Sequence, residues 1–337
     1  MFNFGGGDAA TVLGEDGDDT FNLVDTTVAV TATIDGGEGG ETAGDTVVGA
    51  AAAGNTITVN SADNVTVAVT ADTGTFTASN VENATGGSQA DEFIFDGALT
   101  NTASGLGEDD LFTVNDGGSA GTIDGGAEGT AGDEVSYAGP GRTTAVTVAY
   151  DTFTDIETLT GSAQDDTLTG TAAADTFTVN APDEGTATLT AGGGDVVAFS
   201  SFENLSGLGD GDTFNINAAL TGDVSGGAGN DEFNFGGGDA ANVFGEDGDD
   251  TFNLVDTTVA VTAAIDGGEG AETAGDTVVG ASAAGNTITV NSADNVTVAV
   301  TADTGTFTAS NVENATGGSQ ADEFIFDGAL TNTASGL

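Results

Sequence analysis

The chain has no cysteine, no histidine and no tryptophan, and a single basic residue, Arg142, in 337 positions. Set against 55 Asp and Glu and a formal net charge of −54, that scarcity excludes binding to nucleic acid or to an anionic membrane surface. Both demand Lys and Arg. Cations are the expected partners. No run approaches the roughly 20 apolar residues of a membrane span, so membrane insertion is not expected. No basic start followed by an apolar stretch marks a signal peptide. Aromatics are sparse, 19 Phe and 2 Tyr against 56 Gly, which argues for a thin, repetitive core rather than an ordinary globular one. A carboxylate pair can hydrolyse a glycoside, but among 55 acids a close pair carries no information. With no His or Lys beside it, the chain is expected not to be an enzyme.

What the chain does have is repetition. Residues 2–106 recur as 233–337 at an offset of 231, with five differences: Thr11/Asn242, Leu13/Phe244, Thr33/Ala264, Gly40/Ala271 and Ala51/Ser282. The organisation expected is one full tandem repeat over 1–231 and a partial second copy over 232–337, forming one continuous solenoid. Both ends resemble cuts within an array, so the parent is expected to be longer, with its targeting signals outside this stretch. High net charge alone would suit a disordered chain. Hydrophobic residues nevertheless make up 38% and alternate with Thr, as in Thr56-Ile57-Thr58-Val59 and Val65-Thr66-Val67-Ala68-Val69, the period of a strand with one face in. No segment has helical periodicity.

Within one copy a shorter period appears. Gly226-Gly227-Ala228-Gly229-Asn230-Asp231-Glu232-Phe233 follows the pattern G-G-x-G-x-D-x-(large apolar). Nineteen residues before it stands Gly207-Leu208-Gly209-Asp210-Gly211-Asp212-Thr213-Phe214, and nineteen after it Gly245-Glu246-Asp247-Gly248-Asp249-Asp250-Thr251-Phe252. Equal steps place equal registers in columns. Phe214, Phe233 and Phe252 form an inward column, and Asp212, Asp231 and Asp250 a column of carboxylates. Carboxylates about 5 Å apart, the strand spacing, repel unless protons or cations intervene, and Ca²⁺ takes 6–8 oxygens from such groups and from backbone carbonyls. The competing role for these aspartates is to accept hydrogen bonds from turn N–H groups.

The D-x-(apolar) marks fall at Phe21, Val47, Phe93, Phe112, Val135, Phe177, Phe214, Phe233 and Phe252. Counting the long steps of 46, 42 and 37 as double coils gives eleven coils per copy. The fold expected is all-β: an elongated parallel β-solenoid (β-roll or β-helix) of about 19–23-residue coils with Gly/Asp-rich turns. The phrases Asn80-Val81-Glu82-Asn83, Asp155-Ile156-Glu157-Thr158 and Phe202-Glu203-Asn204 precede such turns, and their Glu and Asn are expected to cap or ladder. Arg142, in Gly139-Pro140-Gly141-Arg142, is expected in a local salt bridge or at a solvated loop tip.

These turns resemble the glycine-aspartate repeats of RTX (hemolysin-type) proteins, and the near-identical long copies resemble the extender region of a large bacterial surface adhesin. The full nonapeptide occurs once, at 226–234; at 14–22 and 245–253 Glu replaces the second Gly. The resemblance implies secretion to the cell surface, calcium-dependent folding outside the cell, and a structural or adhesive role. It implies several Ca²⁺ ions on Asp231, Asp250, Asp212, Asp19, Asp91, Asp110 and Asp322. Carbonyls of Gly226, Gly227 and Gly229 and the turn acids Asp210, Asp247 and Asp249 would assist. The function expected is a calcium-stiffened spacer in an adhesin. The alternative is a self-assembling extracellular filament or surface-layer subunit, with repeats associating end to end.

Overall fold

The computed structural model describes all residues except 6–8, 25, 26, 28, 71, 191–193, 256, 257, 259, 302 and 337. Strands dominate it. A single turn of 3-10 helix, Tyr150–Thr152, is the one helical element among the described residues. The chain forms two compact units, Met1–Thr144 with Thr152–Gln164, and Ala145–Asp151 with Asp165–Leu337. The strand-rich chain is a parallel β-solenoid in each.

In the first unit, seven strands form one parallel ladder, from Phe2–Phe4 through Thr20–Leu23, Thr46–Val48, Asn83–Thr85, Ala98–Gly107 and Ser119–Ala127 to Phe153–Thr154. A second ladder joins Asn55–Ser61, Glu92–Phe95, Leu111–Val114, Glu134–Ser136 and Thr158–Thr160, all parallel. In the second unit one ladder runs from Thr147–Ala149 through Thr167–Thr169, Asn204–Gly209, Asp223–Ala228 and Asn242–Asp247 to Ala264–Asp266. The other runs from Thr176–Ala181 through Thr213–Ile216, Glu232–Phe235, Thr251–Leu254 and Thr277–Val279 to Asn314–Thr316.

The four-residue strands explain why this sequence stacks. In Thr213–Ile216 and Thr251–Leu254 the second and fourth residues are buried and the first and third half-buried, as period-2 geometry requires. Register is set by identity: Phe214 pairs with Phe233, and Phe233 with Phe252. Their rings stack 5.1 and 4.9 Å apart at 5° and 6°, and Phe177 joins at 5.2 Å. On the outer face, Asn253 Nδ2 donates to Asn234 Oδ1 at 2.9 Å and Asn234 Nδ2 to Asn215 Oδ1 at 3.2 Å. A one-residue slip would bury the amides and expose the rings, so the two columns lock each other.

Of the long steps, the one of 42 does hold an intermediate coil, since Val135 pairs with Leu159, whereas those of 46 and 37 are not double coils. Phe177 pairs directly with Phe214, 37 residues on, so that step is one ladder step. The surplus is taken up within the sheet as an antiparallel meander, Thr176–Ala181, Glu184–Leu189 and Asp195–Ser200, whose Ala187, Leu189, Val197 and Phe199 stay buried. The same happens at Asn55–Ser61, Asn64–Val69 and Thr75–Ser79, and Phe93 pairs with Ile57 rather than continuing from Val47, which pairs with Ala84. The cause is a tight turn at Asp63 and Asp183, whose φ values of 48° and 55° are left-handed, a conformation that Asp tolerates.

Candidate functional site

The turn aspartates are drawn inward by one repeated hydrogen bond. Asp175 N–H donates to Asp212 Oδ1 at 2.7 Å, Asp212 N–H to Asp231 Oδ1 at 2.7 Å, Asp231 N–H to Asp250 Oδ1 at 2.8 Å, and Asp250 N–H to Asp276 Oδ1 at 2.7 Å. The column ends on Glu313, whose Oε2 accepts from Asp276 N–H at 2.8 Å. Asp212, Asp231 and Asp250 are each 1% exposed. In the first unit the same device links Asp91 to Asp110 (2.7 Å), Asp110 to Asp133 (2.6 Å) and Asp133 to Glu157 Oε2 (2.7 Å). Asp19 donates to Asp45, and Asp45 to Glu82 Oε2. Asp322 Oδ1 receives the Asn286 N–H and side-chain amide, both at 2.8 Å. Glu82, Glu157 and Glu313 are thus the closing members of the three columns, with Glu203 doing the same for Asp166.

One oxygen is left over on most of these carboxylates, though Asp91 and Asp175 use both, Asp91 Oδ2 accepting from Gly87 N–H and Asp175 Oδ2 from Thr171. Oδ2 of Asp45, Asp110, Asp133, Asp212, Asp231, Asp250, Asp276 and Asp322 is buried and has no hydrogen-bond donor among the described residues. It lies against the Cα of a glycine, five residues earlier in the Gly226/Asp231 pattern. A Cβ on Gly226 would collide with Asp231 Oδ2 and come within 2.9 Å of the Gly245 carbonyl oxygen. Gly227 and Gly229 serve differently: their φ values of 107° and 145° need glycine, and a Cβ on either would strike the carbonyl of Leu208 or Asp210. In the adjacent coils Leu208 and Glu246 occupy the Gly227 register and take φ of 79° and 77° regardless.

Two like charges at ~4.8 Å repel by about 3 kcal/mol even at an effective dielectric constant of 20. Burial, reinforced by these neighbours, pushes the carboxyls of Asp110, Asp212 and Asp250 up to about 7 and Asp276 to about 8. Burial with Glu246 nearby pushes Asp231 to about 6, and burial raises Asp91.

The remaining turn acids behave otherwise. Asp249, adjacent to Asp250 in sequence, takes the Thr273 hydroxyl and the N–H groups of Thr273, Ala274 and Gly275 at 2.5 to 2.8 Å. The Thr273 side chain, then these amides, holds its carboxyl down to about 2. Asp18 and Asp109 clamp the equivalent loops at 42–44 and 130–132. Asp210 and Asp247 are exposed and outside the buried columns. The structure therefore gathers Asp212, Asp231 and Asp250 in one column and Asp91 with Asp110 in another, and puts Asp19 and Asp322 elsewhere.

Sequence reasoning overlooked the acids on the loops between coils. Glu41, Asp45 and Glu82 bring one oxygen each within 4.8 Å of one another, and so do Glu272, Asp276 and Glu313. The available signal was the Gly/Glu-rich loop that lengthens one coil to 26 residues. Arg142 makes a local ion pair, Nη1 to Asp116 Oδ1 at 3.5 Å, and lies 5.3 Å from the Tyr137 ring centroid.

Fold and site together define a strand-rich parallel β-solenoid with buried acidic columns. No protein-family model matches the chain, and no curated protein matches it.

Proposed function

We propose that the chain is an extracellular, calcium-binding structural repeat of the RTX-like kind, serving as a stiff spacer in a large cell-surface adhesin. The observation that carries this reading is the row of buried, donorless Oδ2 atoms on successive coils, in a chain whose one basic side chain is committed to Asp116. Calcium between Oδ2 atoms and turn carbonyls neutralises the columns and ties each coil to the next, because a carboxylate shared between coils resists their separation. Near-identical copies suit a part whose task is reach.

The test is thermal melting by circular dichroism after EGTA treatment, with calcium then restored. Saturation at 100 times Kd adds ~2.7 kcal/mol per native-state site, so the melting temperature rises steeply. The double variant D231N/D250N shows a smaller rise. An unchanged melting temperature on adding calcium sinks calcium-dependent stability. Filaments in electron micrographs of the calcium-loaded chain overturn the spacer in favour of assembly.

A further inference from the structure

The loop between the strands Ala264–Asp266 and Thr277–Val279 carries Glu272 and Asp276 alongside Glu313, which lies just before the strand Asn314–Thr316 on the next coil. One carboxylate oxygen from each lies within 4.8 Å of the other two. Asp276 is fully buried and Glu313 is 8% exposed. Hydrogen bonds account for one oxygen of each: Asp276 Oδ1 accepts from Asp250, and Glu313 Oε2 accepts from Asp276. Asp276 Oδ2 and Glu272 Oε1 are buried atoms without a donor among the described residues. Burial and then the Glu313 charge raise the Glu272 carboxyl. The second unit contains no Lys, Arg or His, so no side chain of that unit can offset three converging carboxylates.

We propose that Glu272, Asp276 and Glu313 hold a divalent cation of the calcium class, at the end of the column and apart from Asp212, Asp231 and Asp250. Their copies Glu41, Asp45 and Glu82 hold another. All the donors are hard oxygens, and two ligands at a Ca–O distance of ~2.4 Å can stand up to about 4.8 Å apart. Magnesium, which binds at ~2.1 Å in a strict octahedron, demands a tighter set. The arc between two of the ligands is already fixed, since Asp249 grips the N–H groups of Thr273, Ala274 and Gly275. Glu41 Oε1 and Asp45 Oδ2 are likewise buried and donorless, and Asp18 grips the first loop in the same way. The ion joins a loop of one coil to the glutamate of the next. The site stands whether or not Asp212, Asp231 and Asp250 bind metal.

Equilibrium dialysis of the full chain against radioactive calcium decides it. The variant E41Q/E272Q keeps side-chain volume and leaves every ladder bond in place, so its circular dichroism should match the parent's. It is expected to bind two fewer calcium ions per chain, one for each carboxylate group. D231N/D250N is expected to retain those two ions, which separates this site from Asp231 and Asp250. Unchanged stoichiometry in E41Q/E272Q overturns the proposal. Should that variant lose its β signal, the parent chain decides alone: it must bind at least two calcium ions at neutral pH, and a chain that binds none refutes the site.

Discussion

Stripped of divalent cations, the second unit should weaken as the pH rises, the reverse of ordinary acid denaturation. Asp212, Asp231, Asp250 and Asp276 have their carboxyls pushed to about 7, 6, 7 and 8 from 3.8, chiefly by burial. Unfolded, they ionise near 4. Between about pH 4 and 6 the native state therefore holds protons that the unfolded chain has released. Stability is then greatest below pH ~4 and is lost as the pH climbs, by about 1.4 kcal/mol per pH unit for each retained proton. Neighbouring carboxyls titrate as a set; counting two protons for the four, the change from about pH 4.5 to about pH 6 is ~4 kcal/mol. For a unit of this size that is a fall of roughly 8–16 °C in melting temperature. Asp249 has the opposite sign, with its carboxyl held down to about 2. Its contribution is present above pH ~4 and is lost only as the pH falls through about 2, so it leaves this window untouched. The assay is thermal melting in EGTA across the window, in about 0.5 M NaCl to screen the net charge. Asn is nearly isosteric with protonated Asp and keeps an oxygen for the ladder bond, so D231N/D250N should flatten the slope. A melting temperature that is flat or rises with pH, or a slope that D231N/D250N leaves unchanged, refutes the reasoning.

Three substitutions probe the geometry beneath this. Gly226→Ala forces a methyl against Asp231 Oδ2 and a backbone carbonyl and should cost about 2–3 kcal/mol in chemical denaturation, as overpacking does. Leu208→Gly relieves a half-exposed leucine at φ 79° and should stabilise by roughly 0.5–1 kcal/mol, the left-handed penalty less the added freedom of the unfolded chain. Phe233→Ala opens the middle of the ring stack and should cost about 3–5 kcal/mol, read as a lower denaturation midpoint.

Much of the fold was legible because the solenoid repeats its chemistry at fixed steps. Phe214, Phe233 and Phe252 declared their column through spacing alone, and the structure stacks them. The x-Glu-Asn phrase declared a ladder role, and Glu82, Glu157 and Glu203 accept ladder bonds. The coil count failed at the steps of 46 and 37, where length was taken for coils: Thr-Val alternation is the same in an antiparallel meander as in a strand of the parallel stack, and only pairing distinguishes them. At the site, sequence placed the aspartates on successive turns but could not divide Asp249 from Asp250. These neighbours have opposite electrostatics because one faces the loop amides and the other the interior. Glu41 and Glu272 escaped notice because the glutamate that completes each group, Glu82 or Glu313, lies on the following coil, 41 positions away.

Among the described residues, the bonds of the buried aspartate columns point one way, opposite to the outer Asn column. Asp91 donates to Asp110, Asp110 to Asp133, Asp212 to Asp231, and Asp231 to Asp250, and in each the acceptor lies later in the chain. Each of these turns is therefore finished by the residue 19 to 23 positions after it. A chain emerging N-terminus first, from a ribosome or through a narrow pore, presents the donor before its acceptor exists. Folding along the columns then advances like a zip with its slider at the newest coil, and each arriving aspartate closes the one before it while its own N–H waits for the next.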